Sequence, residues 1–96
     1  MQGFTLVAAR PGTLVLGVSR LQGNEELARR LTERFSAVDG IRAVRADAAA
    51  GTVRVEYDRE RLRSWSSLWA LKSAFQELFP EVDSLALASW LGPHLT

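Results

Sequence analysis

The sequence predicts an α+β fold: a four-stranded antiparallel sheet with two helices on one face. Three observations carry this. Short aliphatic and β-branched runs bounded by glycine alternate inward and outward positions at period two. Two longer stretches repeat apolar residues at helical spacing. The order of these patterns along the chain is strand, helix, strand, strand, helix, strand.

The first strand is read in "TLVLGVS", 13–19, after a Pro-Gly turn signal, with Leu14, Leu16 and Val18 on one face. The preceding "FTLVA", 4–8, is expected to be extended, either prolonging that strand or lying on an edge, within an extended N-terminal segment 1–10. A helix then opens at Asn24, whose side-chain oxygen suits the free amides of a first turn. Glu25 and Glu26 face the positive end of its dipole. Leu27, Leu31, Phe35 and Val38 form its apolar stripe, and Asp39-Gly40 ends it. Glu25–Arg29, Glu26–Arg30 and Arg29–Glu33 are spaced to pair on its outer side.

"IRAVRAD" and "GTVRVEYD" make a hairpin, with Val53, Val55 and Tyr57 inward and Thr52, Arg54 and Glu56 outward. A second helix is expected over 64–79. Leu68, Leu71, Phe75, Leu78 and Phe79 form its core stripe, with Trp69 beside them, and Pro80 stops it. "SLALA", 84–88, is expected as the last strand and 89–96 as a tail. This β-α-β-β-α-β order is the ferredoxin-like, split βαβ arrangement.

The totals bound the function. Ninety-six residues, 47% hydrophobic and 24% charged, suit one globular domain, 1–96. There is no cysteine, so disulfides and thiolate ligands are excluded. A net charge of +1 gives no general attraction to nucleic acid or membrane. The apolar N-terminal run is split by Arg10, Pro11 and Gly12, too short for a span of about 20 residues, and no basic n-region precedes it. No membrane insertion and a cytoplasmic location are the expectations.

The stretch "SAVDGIRAVRADAAAGTVRVEYD", 36–58, resembles the heavy-metal-associated (HMA) domain. Val38, Gly40, Ile41, Val44, Gly51, Val53, Val55, Tyr57 and Asp58 match its pattern, with Asp39 where that family has proline. The opening "RPGTLVLGVSRLQGNEELARRL" is similar to a cysteine-free bacterial branch of the family, with a Pro-Gly-x-Leu-x-Leu strand and a Gly-Asn-x-x-Leu helix start. The resemblance implies the ferredoxin-like fold. It places the family's two metal-binding cysteines at Asn24 and Leu27, neither of which offers the soft donor that Cu(I) needs. It also implies an accessory role in a metal-transport or metal-storage system, such relatives occurring with or within P-type ATPases.

His94 is a lone histidine and would need outside ligands to hold a metal or haem. Glu56, Asp58 and Glu60 are too few oxygen donors for a calcium or magnesium site. An acylphosphatase-like activity lacks its phosphate loop, because "SRLQGNEEL" follows one glycine with two acids. RNA binding lacks an aromatic platform on the hairpin. The reading is therefore a non-catalytic protein-interaction module without a cofactor. A metal or haem carrier with ligands from a second chain and a nucleic-acid binder are the alternatives. Trp65, Trp69 and Trp90 serve either the core or a partner surface. The last strand, uncharged from Leu85 to Trp90, is the expected edge for self-association or strand addition, through Leu85, Leu87, Trp90 and Leu91.

Overall fold

The computed structural model describes residues 3–83 and, beyond them, Ala86, Ser89, Trp90 and Pro93. Its strands are β1 (Phe4–Arg10), β2 (Thr13–Val18), β3 (Ile41–Asp47) and β4 (Thr52–Tyr57); its helices are α1 (Glu25–Ser36), α2 (Arg59–Leu62) and α3 (Trp65–Leu78). A 3-10 turn at Ser19–Leu21 joins β2 to α1. All strand pairs are antiparallel, in the order β1-β2-β4-β3.

The segment before Pro11 is a full edge strand. It folds back on β2 through Pro11-Gly12, where Gly12 takes φ +83°. That departs from the expected element order: β1 holds the edge that 84–88 was expected to fill. The last-strand expectation falls mostly outside the described residues, and Ala86, the one residue of that stretch described, is helical. The short helix α2 is a further element beyond those expected; Asp58 starts it by accepting from the amides of Glu60 and Arg61.

Alternation builds the core. Leu14 and Leu16 of β2 lie opposite Val55 and Val53 of β4, which lie opposite Val44 and Ala46 of β3. Leu27 and Leu31 of α1 and Phe75 and Leu78 of α3 are buried in the same cluster, so both long helices cover this face. Phe4, Phe75 and Phe79 meet with ring centroids 5.2–5.6 Å apart, in tilted and edge-on geometries that favour aromatic pairs. Gly40, at φ +98°, turns the chain from α1 into β3; a Cβ there would lie 2.9 Å from the amide nitrogen of Leu62.

The other face of the sheet is open. Ala8, Val15, Arg54 and Arg45 form one cross-strand row, and Arg10, Thr13, Glu56 and Ala43 another. Each edge strand is irregular: the register shifts between Leu6 and Ala8 in β1, and between Ile41 and Ala43 in β3. Such bulges blunt an edge against further strand pairing. On α1, Arg29 reaches both Glu26 (3.4 Å) and Glu33 (3.1 Å), so Glu26 pairs three residues on with Arg29 and not with Arg30.

Candidate functional site

The loop between β2 and α1 is held by a helix cap and backbone hydrogen bonds. The amide of Leu27 donates to Oδ1 of Asn24 (2.9 Å), which caps α1. Leu27 itself is 5% exposed and belongs to the core. The amide of Gly23 donates to the carbonyl of Ala48 (2.8 Å) and that of Val18 to Gly51 (2.7 Å), so the β3–β4 turn ties this loop down. Among the described residues no group of three potential metal ligands comes together. Glu56 lies on the open sheet face, Asp58 caps α2 and Glu60 sits within α2, so the three carboxylates do not converge. His94 lies outside the described residues.

Two clefts open on the surface. One, of about 520 Å³, lies where α1 ends and α2 begins, and its charges are matched: Arg42 with Asp58 (3.4 Å) and Arg61 with Asp39 (3.6 Å). The Asp58 carboxyl is held below the usual carboxylate range. The Arg61 amide contributes most, the Glu60 amide and the Arg42 guanidinium add to it, and partial desolvation opposes it. A carboxylate so committed is a poor proton carrier near neutral pH. The second cleft, about 450 Å³, lies between Phe4, Val18, Phe79 and Val82. Arg20 bridges to Glu81 there, with its guanidinium 5.3 Å from the centre of the Phe79 ring. The Glu81 carboxyl is lowered too, first by its own backbone amide and then by Arg20. Among the described residues, neither cleft sets a nucleophile beside a base.

The surface that stands out is the outer side of α3. The Ser64 hydroxyl accepts from the amide of Ser67 and starts the helix (3.2 Å). It also donates to the Ser67 hydroxyl (2.9 Å), so Ser67 can turn inward without an unmet polar group. Ser67, Ala74, Phe75 and Leu78 are buried with Leu71 beside them. Trp65, Leu68 and Trp69 are left outside, 76%, 42% and 57% exposed. The ammonium of Lys72 lies 4.7 Å from the centre of the Trp69 ring, a cation–π contact. Scattered exposed apolar residues are ordinary, but two tryptophans and a leucine on one helical stripe form a patch of the kind that marks interaction sites.

This corrects the sequence reading, which put Leu68 in the core stripe and Trp69 beside it. The helix is apolar on two sides. The spacing of Trp65, Leu68 and Trp69 is a second apolar stripe, but periodicity alone does not say which of two stripes faces the core. Of the residues expected at a C-terminal edge, Leu85, Leu87 and Leu91 lie outside the described residues. Trp90 is helical, half-buried and packed against the core. No helix among the described residues is long and apolar enough to cross a membrane. No protein-family model, curated protein or solved structure matches the chain.

Proposed function

We propose that this protein is a non-catalytic interaction module, built on the frame of a heavy-metal-associated domain that has no thiolate pair. The exposed Trp65, Leu68 and Trp69 on α3 carry the proposal. Supporting it, β2, α1, β3, β4 and α3 follow one another as strand, helix, hairpin and helix, as in a ferredoxin-like domain. The N-terminal β1 lies beside β2, where that arrangement would put its last strand. Asn24 is a cap and Leu27 a core residue, at the two positions where the resemblance would put the ligands. The accessory role in cytoplasmic metal transport or storage, alongside a P-type ATPase or a storage system, rests on the resemblance.

Site-specific photo-crosslinking in the producing cell tests the proposal. A photoreactive phenylalanine analogue at Leu68 is expected to give a discrete protein adduct, lost in the W65S/W69S background. The same analogue at Thr52, on the open sheet face, is expected to give none. Absence of any adduct at position 68, or equal adducts at both positions, would overturn the proposal.

A further inference from the structure

Lys72 lies one helical turn beyond Leu68, and its ammonium is 4.7 Å from the centre of the exposed Trp69 ring. A partner that covers Trp69 therefore takes water from Lys72 as well. An ammonium moved out of water is costly unless an anion meets it, and lysine is accordingly depleted at interface cores. From Arg61 to Gln76 the chain carries Arg61, Arg63 and Lys72 and no acidic residue. The acids at either end of that run are engaged elsewhere: Glu77 by Arg34 at 2.6 Å and Glu60, more loosely, by Arg63 at 4.0 Å. Among the described residues no carboxylate pairs with Lys72, so the anion that offsets its burial has to come from the partner.

We infer, from the reading of α3 as an interaction surface, that its partner is an acidic protein segment, one that sets a carboxylate against Lys72 beside the apolar groups that cover Trp65 and Trp69. Arg63, two residues before Trp65, extends the same positive field to the start of the helix and steers an acidic segment on approach. The charge surplus is local to α3. The neighbouring helix α1 covers the same face of the sheet and exposes acids and bases in equal number, Glu25, Glu26 and Glu33 against Arg29, Arg30 and Arg34. A broad anionic surface such as a bilayer averages over both helices and gains little, whereas a segment narrow enough to follow α3 meets the surplus alone.

The photoreactive analogue at Leu68, carried by the full chain in the producing cell, tests the chemistry of the partner once mass spectrometry has sequenced the segment joined to it. Within about seven residues on either side of the joined position, two helical turns, Asp and Glu are expected to outnumber Lys and Arg. Lys72→Glu is expected to cut the yield of the adduct at least about tenfold, as reversal of one member of a desolvated charge pair does. Lys72→Arg keeps the charge and is expected to cut it far less. Circular dichroism checks that both variants fold. A joined segment without the acidic excess, or a yield that Lys72→Glu leaves unchanged, would overturn the acidic partner while the interaction-module reading stands. An adduct with lipid alone, or no adduct, would overturn both.

Discussion

Asn24 and Leu27 set the start of α1, one as a cap and the other as a core residue. The carboxamide of Asn24 satisfies an amide that the helix start leaves without a partner, and Leu27 fills the space under the first turn. Removing the oxygen in Asn24→Ala is expected to cost ~1 kcal/mol, and Asn24→Asp to cost little, since aspartate caps as well. Leu27→Ala leaves a cavity in a packed core and is expected to cost ~2–4 kcal/mol. Urea denaturation of the three variants checks this. A neutral Leu27→Ala would mean that α1 is rotated away from the sheet.

Among the elements, the open sheet face and α3 each carry an arrangement that folding alone does not reward. On the sheet, Arg45 and Arg54 are direct cross-strand neighbours. Arg54 is within 3.8 Å of Glu56, a loose contact, and no ion pair involving Arg45 is among those described. Like charges directly opposed on adjacent strands repel, and opposite charges attract, each on the scale of ~0.2–1 kcal/mol. Arg45→Glu is therefore expected to raise stability by a fraction of a kcal/mol at low salt and by less at 1 M salt, where screening shortens the reach of the charges. Thermal denaturation at the two salt concentrations checks both the sign and the salt dependence. On α3 the matching cost is exposed tryptophan.

The whole molecule carries no thiolate donor, and the loop before α1 is packed. Cu(I) needs thiolate or thioether donors and structural Zn(II) sites need four ligands. The chain has no cysteine, one histidine and one methionine. Titration of the purified protein against a competing chelator is expected to show no Cu(I) or Zn(II) site tighter than about micromolar, the range of adventitious surface binding. His94→Ala should leave that result unchanged. A stoichiometric tight site that survives this substitution would require ligands that neither Asn24 nor Leu27 can supply.

Period two in β2 and β4, period 3.6 in α1, the Asn24 cap and the Gly40 turn were all legible because each depends on residues close in sequence. The spacing of Leu14, Leu16 and Val18 determines a buried face wherever that strand lies, and the lack of cysteine removes thiolate chemistry in any fold. Three matters depended on contacts between distant segments. The first is which segment fills the edge beside β2. The apolar stretches 4–8 and 84–88 were both strand-like, and the Pro11-Gly12 turn brings the former back at a short loop's low entropic cost. The second is the start of α2, where Asp58 ends a strand in the sequence pattern but caps a helix once its amide is tied to the carbonyl of Gly40 (2.7 Å). The third is the rotation of α3. Two apolar stripes compete for one core, and packing against α1 and the phenylalanines favours the side with Ser67, Ala74, Phe75 and Leu78. That choice leaves Trp65, Leu68 and Trp69 outside, so a local pattern could name the surface residues but only tertiary packing could decide that they face outward.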